Sequence, residues 1–451
     1  MASPFDLRAD DSVALVDGER GVPWTRARLA DAVGRVAQML RSDRKELVFC
    51  ACDRDVGSVV GYLAAVTAGH AVALTDRNVH EDLAAALVER YQPRFMLEAD
   101  GAEVRVTERR GLPDAPPIHG ELTVLLSTSG TTGSPRFVRL ARRNLEANAA
   151  SIVEYLGIGP GERAIASLPI HYSYGLSVLN SHLAAGASVV LTRESVIRPG
   201  FWEQATAHGA TSFAGVPYTY AMLERTGLLQ TRAPETLKTL TQAGGRLAPE
   251  AIVALHELMT ARGGRLFVMY GQTEATARIA YVPPAALPEK AGTIGIPIPR
   301  GQLRVEDGEL VYRGPNVMLG YAEDRADVAR GDDLQGELRT GDLGRADDDG
   351  FFVITGRSAR IAKVFGLRVN LDEVEAAARR FGAVAAVDGG DAVRLFVEGG
   401  GEAVDERAVR SHLADLLRVN SRAFDVHAIE RLPTRGSGKI DYAALAERHA
   451  G

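Results

Sequence analysis

Two cysteines in 451 residues are too few for a disulfide framework, and they lack the spacing of a zinc site. Cys50 and Cys52 lie in the apolar run 47–52, which reads as a strand. Alternate strand residues share a face but are poorly placed to bridge, so both are expected as buried free thiols. Neither sign of charge dominates: the net value is −6, which offers no field for gripping nucleic acid or an anionic membrane. Any phosphate must then be held by local groups, and so belongs to a small molecule. No basic start followed by an apolar core occupies residues 1–11, and no apolar run is long enough to cross a bilayer. Secretion and membrane insertion are therefore not expected, and a reducing cytoplasm is. The Walker phosphate loop is missing as well. The only Gly-Lys pair, Gly438-Lys439, has Pro433 where the first glycine belongs and Ile440 after the lysine. No internal repeat or low-complexity tract is evident.

What remains is an ordinary globular composition, 46% hydrophobic and 24% charged, in a chain long enough for two or three domains. Leucine-rich 122–126 reads as a buried strand, and Ser127-Thr128-Ser129-Gly130-Thr131-Thr132-Gly133-Ser134-Pro135-Arg136 follows it directly. Glycines let a backbone curl around an anion, hydroxyls and amides donate to its oxygens, and a guanidinium adds charge-assisted pairing. The guest suited to such a loop is a polyphosphate.

Around this loop, strands alternate with helices. Thr25 is a candidate N-cap for a helix carrying Leu29, Val33, Val36 and Leu40 on one side. Strands at 47–50, 72–74 and 95–97 alternate with helices at 57–68 and 81–90; a helix at 144–155 and short apolar segments at 163–166, 188–191, 211–215, 239–243 and 266–270 continue the rhythm. The expected fold is α/β: a large N-terminal domain, 1–356, of layered α/β sheets whose strand ends line a ligand crevice. From about Thr293 the texture changes. Asp307-Gly308 and Asp349-Gly350 are hairpin signals, predicting a small antiparallel barrel or sheet. Residues 357–451 read as a small mobile α+β domain, with helices at 371–381 and 405–417 and strands at 394–398 and 425–429.

Three further stretches look chemical. Tyr270-Gly271-Gln272-Thr273-Glu274 ends a predicted strand, placing a ring able to stack on a purine beside a carboxylate able to hold Mg²⁺. Thr340-Gly341-Asp342 offers a carboxylate after a turn, suited to ribose hydroxyls. Gly436-Ser437-Gly438-Lys439 puts an ammonium at a loop tip.

Together and in this order, these stretches, with Gly356-Arg357, resemble the adenylate-forming superfamily of acyl-CoA ligases, peptide-synthetase adenylation domains and luciferases; the resemblance spans 122–441. Members join a carboxylate to AMP with release of pyrophosphate, and most then pass the acyl group to a thiol. The resemblance thus implies ATP, Mg²⁺, and CoA or a carrier-protein phosphopantetheine as acceptor, with a small-molecule acid as substrate. It implies that Thr128, Ser129, Gly130, Thr131, Thr132, Gly133 and Arg136 form the nucleotide loop. Within it, Ser129, Thr131, Thr132 and Gly133 hold the β- and γ-phosphates. Thr273 touches the α-phosphate, Glu274 holds Mg²⁺, and Gly244, Gly245, Tyr270, Gly271 and Gln272 frame the adenine. Asp342 and Arg357 serve the ribose, and Lys439 is the catalytic lysine that the small domain brings in by domain alternation. Two positions depart from the family pattern: Arg136 stands where lysine is usual, and Ala359 where the hinge usually has Asp or Lys. A nucleotide-binding relative without turnover is the rival reading that these departures support.

By the same resemblance, 168–177 is the substrate-pocket motif, and the acid pocket draws on Tyr172, Ser173, Gly175, Val216, Tyr218, Gln272 and Ala277. Amino-acid-activating members carry an aspartate where Ser173 stands. An unpaired ammonium in a pocket is costly, so standard α-amino acids are disfavoured and a compact or aromatic acid is expected. His171 and His182 read as packing or hydrogen-bonding residues. Arg278 is either an anion partner for a second acidic group on the substrate or a salt-bridge partner within the fold.

Overall fold

The run Leu47–Cys52 is apolar throughout because both faces of its strand are covered, the mark of a parallel strand in the middle of a layered protein. In the computed structural model the described residues are 3–127, 136–357, 360–364, 367–390, 392–399, 404–417, 420–434 and 440–447. They divide into two units, one of 3–127, 136–303 and 312–338, the other of 304–311 and the described residues from 339 on.

The first unit holds two large sheets. One has seven strands in the order Gly320–Ala322, Phe137–Ala141, Leu122–Ser127, Ala71–Asp76, Leu47–Cys52, Phe95–Asp100, Glu103–Glu108. Its four central strands are parallel and its edges antiparallel. The other has nine strands, ordered Ile296–Pro297, Ala280–Val282, Arg265–Tyr270, Thr239–Gln242, Ser212–Gly215, Arg163–Ile165, Ser188–Leu191, Val13–Asp17, Val22–Thr25. The expected α/β alternation therefore holds, and Thr25 does cap its helix, accepting from Arg28 N. Cys50 and Cys52 are buried and free.

Two helices are buried almost all round. In Val56–Thr67 every residue of 56–66 is buried. Gly57 and Gly61 let it lie close: a Cβ at Gly57 would stand 2.7 Å from the Glu103 carbonyl, and one at Gly61 would stand 3.1 Å from Cys50 Sγ. The second, Ser173–Ala184, carries serines at 173, 177 and 181, four residues apart and so on one face. The Tyr62 hydroxyl donates to Asn180 Oδ1 at 3.3 Å, joining the two helices inside the core.

The second unit includes most of a four-stranded antiparallel sheet, Gln302–Glu306, Glu309–Arg313, Glu337–Ala346, Phe352–Arg357. Asp307 and Gly308 both have positive φ, 52° and 82°, as the two-residue hairpin turn requires. Thr340-Gly341-Asp342, expected after a turn, lies instead inside the strand Glu337–Ala346. Neighbouring strands on both sides override the local turn preference, and Gly341 takes φ +74° with its N–H donating to Glu309 Oε1 at 2.9 Å. Beyond lies a three-stranded sheet, Ala383–Asp388, Val393–Glu398, Phe424–Ile429, packed with Leu371–Ala378 and Glu406–Leu417 around Val374, Leu395, Val409 and Leu413. Glu375 is buried there and accepts from Arg360, the Ala386 amide and Tyr442. Burial pushes its carboxyl above the usual range although Arg360 opposes the shift.

Candidate active site

Parallel strands Ser212–Gly215, Thr239–Gln242 and Arg265–Tyr270 are neighbours, so the chain segments that follow them leave the sheet along one edge. The segment after Arg265–Tyr270 is the tightest. Gly271 is required there, because a Cβ would fall 2.0 Å from the Ala277 carbonyl oxygen. A single 3₁₀ turn, Thr273–Ala275, is followed by Thr276 at φ +54° and Ala277 at φ +100°, conformations that L-residues adopt only when held. The holder is Asn316, 1% exposed: its Nδ2 donates to Ala275 O at 2.7 Å and Arg278 O at 2.8 Å, and its Oδ1 accepts from Tyr312. Thr276 Oγ1 donates to the Asn316 carbonyl at 2.6 Å. Asn316→Ala leaves three buried groups unpaired at about 1–3 kcal/mol each. We expect a loss of at least about 2 kcal/mol in urea unfolding, and unchanged stability would remove this latch from the account.

The latched turn presents Thr273 and Glu274. Thr273 Oγ1 lies 3.2 Å from Ser173 Oγ, the first residue of the buried helix. Glu274 Oε1 accepts from the Tyr321 hydroxyl at 2.8 Å, and the Arg136 guanidinium sits 3.8 Å from the centre of the Tyr321 ring. Tyr321 belongs to the edge strand Gly320–Ala322, paired with Phe137–Ala141 immediately after Arg136. Ser173, Thr273, Glu274 and Arg136, scattered in sequence, are thus brought together. Tyr321 joins them and was missed from sequence, where a lone tyrosine in an apolar run signals an edge strand and nothing more. Burial and the Glu274 charge both push its phenol well above the usual range, keeping it a donor.

After Thr239–Gln242, Gly244 takes φ +83°; a Cβ on it would stand 2.5 Å from Tyr172 Oη and 3.2 Å from Val216 Cγ1. A Cβ on Gly245 would lie 3.1 Å from Pro217. Tyr172, Val216, Gly244 and Gly245 therefore share one corner. Tyr270 and Gln272 flank Gly271 at the neighbouring strand end, each half-buried. Two residues expected in the acid pocket have other reasons for their places. Tyr218 is 61% exposed, because the helix Pro217–Thr226 buries its other face through Tyr220 and Leu223. Gly175 is a packing requirement, since a Cβ would meet the Pro169 carbonyl at 2.2 Å. Ala277 is buried and contributes backbone to the turn.

His182 fits its packing reading: Nδ1 lies 2.8 Å from the Val178 carbonyl, Nε2 lies 3.3 Å from Ser212 Oγ, and burial pushes its pKa down. Burial lowers His171 too, against the pull of Asp76 at 3.9 Å. In the second unit, Asp342 and Arg357 are register partners, with Arg357 Nε donating to Asp342 Oδ1 at 3.0 Å. Asp342 is 6% exposed, and its amide donates to Thr340 Oγ1. Thr128, Ser129, Gly130, Thr131, Thr132, Gly133, Ala359 and Lys439 lie outside the described residues.

The donor set suits a magnesium ion bound through a nucleotide. Among the described residues no cluster of three metal-ligating side chains occurs, and Glu274 has one carboxylate oxygen on the Tyr321 hydroxyl. One carboxylate beside hydroxyls is the usual protein share of a Mg²⁺ site whose remaining ligands are water and phosphate.

A family model described as AMP-binding enzyme matches residues 6–322. The isonitrile lipopeptide synthase of Streptomyces coeruleorubidus is 30% identical, over 96% of this chain and 32% of that protein. The sulfoacetate–CoA ligase of Cupriavidus necator is 31% identical, over 74% of this chain and 67% of the ligase. A 2-succinylbenzoate–CoA ligase of Bacillus cytotoxicus is 32% identical, over 52% and 50%. The chain thus spans about a third of the first relative and one half to two thirds of the other two. In fold it matches O-succinylbenzoate coenzyme A synthetase from Bacillus subtilis in complex with AMP, with a TM-score of 0.76 at 22% identity over 99% of this chain and 98% of that one. ATP-bound MatB from Rhodopseudomonas palustris also gives 0.76 at 22%, over 100% and 99%. With the family model covering well over half its length, the chain belongs to the AMP-binding enzyme family.

Proposed function

We propose that the protein activates a small carboxylic acid with ATP, forming the acyl-adenylate and releasing pyrophosphate, and then transfers the acyl group to a thiol. The observation that carries this reading is the meeting of Ser173, Thr273, Glu274, Tyr321 and Arg136 at the C-terminal edge of the strands. It supplies hydroxyls for an α-phosphate, one carboxylate for a hard cation and one fixed cation for phosphate charge. Mg²⁺, when bound, neutralises the phosphates so that an anionic nucleophile can approach. The loop 128–133 cradles the β- and γ-phosphates in this reading. Tyr270 stacks on adenine beside Gly244 and Gly245, with Gly271 and Gln272 completing that wall. Asp342 accepts from the ribose hydroxyls, and Arg357 fixes its carboxylate. Residues 357–451 act as the small alternating domain that delivers Lys439.

Tyr172, Ser173 and Val216 line the mouth of the acid pocket. The relatives' names cover a sulfonated acid, a dicarboxylic acid and, in the L-proline–carrier-protein ligase of Pseudomonas fluorescens, an amino acid. Ser173 supplies no charge for an amino acid's ammonium, which favours the first two kinds. The acceptor is CoA or a carrier-protein thiol; the proline ligase, 30% identical with 69% of its length covered, keeps the carrier in view.

Acid-dependent pyrophosphate release over a panel of free acids, with ATP and Mg²⁺, tests the first step; CoA against a phosphopantetheinylated carrier tests the second. ATP binding with no acid-dependent release across the panel would leave a nucleotide-binding protein without turnover. Tyr321→Phe keeps the ring under Arg136 but deletes the donor to Glu274. Loss of such an outer-shell partner raises the Mg²⁺ requirement of pyrophosphate release roughly 10–100-fold, read as the half-saturating Mg²⁺ concentration, and an unchanged requirement would exclude the role.

A further inference from the structure

One charged group near the candidate site has no place in the scheme above. Arg278 is 2% exposed. Its Nη1 donates to the Ala277 carbonyl at 3.1 Å, its guanidinium lies 4.1 Å from the centre of the Tyr174 ring, and its Nε has no hydrogen-bond partner. No carboxylate among the described residues pairs with it. The guanidinium is thus a buried cation offset only by neutral groups: a ring face, one carbonyl and the Tyr155 hydroxyl. Burying a cation with only neutral partners is costly unless an anion arrives from elsewhere.

The place for that anion adjoins it. Arg278 lines a cavity of about 30 Å³ together with Ser177, Ser181, His182, Thr241 and Met269, room for one or two water-sized groups. Nothing else on the wall carries positive charge. The Ser177 and Ser181 hydroxyls donate to the Tyr174 and Val178 carbonyls, and His182 is held neutral by burial. Glu162, the one carboxylate on the wall, is occupied by the Thr211 hydroxyl at 2.5 Å. Tyr155 adds a neutral phenol whose hydroxyl donates to Met269 Sδ at 3.0 Å and accepts from Arg278, a dipole that does not cancel the charge.

The cavity also lies at a useful depth. Ser173 meets Thr273 at the proposed reacting end, and Ser177 comes one helical turn later, roughly 6 Å along the axis. From these placements we infer that the acid carries a second anionic group, a carboxylate or sulfonate, and that Arg278 receives it at the inner end of the acid pocket. The substrates are then short dianionic acids, since a cavity of this size has no room for a long chain as well. This deepens the acid-activation reading and rests on it.

The test compares malonate, succinate and sulfoacetate with propionate and butyrate, using the full chain with ATP and Mg²⁺. Both ligand-dependent thermal shift and pyrophosphate release are read. Wild type should favour the dianions by roughly 10²-fold or more in kcat/KM, because a site built around a polar partner rejects analogues lacking it. Arg278→Met should erase that preference and the dianion-dependent thermal shift. Without ligand its Tm should equal or exceed that of wild type, since an unpaired buried charge is removed. A purely structural arginine would lower the ligand-free Tm and leave the substrate ratio alone. Turnover of monoanions as fast as dianions overturns the inference and spares the acid-activation reading. Arg278-dependent binding of a dianion without pyrophosphate release does the reverse. No Arg278-dependent response to any dianion in either readout overturns the inference outright.

Discussion

Lys439→Ala should bind ATP as wild type does yet release acid-dependent pyrophosphate roughly 10²–10³-fold more slowly, a barrier increase of about 2.7–4 kcal/mol. The reason is charge. An attacking carboxylate and a triphosphate repel one another, and a cation delivered only when both are in place stabilises their approach more than it stabilises either alone. Transfer to the thiol from supplied acyl-adenylate should survive, because the task assigned to the lysine, bringing the carboxylate to the triphosphate, is already complete in that substrate. Comparing the two half-reactions in one variant therefore separates a catalytic lysine from a damaged fold. Near-normal pyrophosphate release would refute the role.

Glu274→Gln should show the second large effect. The amide keeps the shape of the side chain and an oxygen for Tyr321, so the latched turn stays folded. What disappears is the charge. Losing an outer-shell partner already costs 10–100-fold in metal affinity, so a lost ligand should raise the half-saturating Mg²⁺ concentration by roughly 100-fold or more. High Mg²⁺ should restore part of the rate. A variant with wild-type Mg²⁺ dependence and a low rate would move Glu274 from metal binding to another task.

The fold was legible where burial is simple. Leu47–Cys52, Leu122–Ser127 and Ser188–Leu191 are covered on both faces and read as continuous apolar runs. Ser173–Ala184 was not seen as a helix, because burial on nearly every side erases the alternation of polar and apolar residues that marks one. Val22–Thr25 was hidden by Pro23, tolerated on an edge strand. The strand through Asp342 was disguised by Thr-Gly-Asp, a turn in isolation. In the candidate site, Arg136, Ser173, Thr273 and Glu274, which the fold brings together, could be singled out from residue type and order. Asn316 and Tyr321, which hold and aim them, could not. Their importance lies in which distant carbonyl or carboxylate each one reaches, and that is a property of the folded chain.

The Asn316 latch has a consequence for attempts to change which acid the proposed ligase accepts. One side chain fixes the carbonyls of Ala275 and Arg278, and Gly271 leaves no slack beneath them, so the turn moves as a single rigid block. Libraries randomised at 271, 276, 277 or 316 should yield mostly inactive clones, while the cavity-lining positions 177, 181, 241 and 278 can be varied together on an intact frame. New specificities would be found there, with the nucleotide chemistry inherited unaltered.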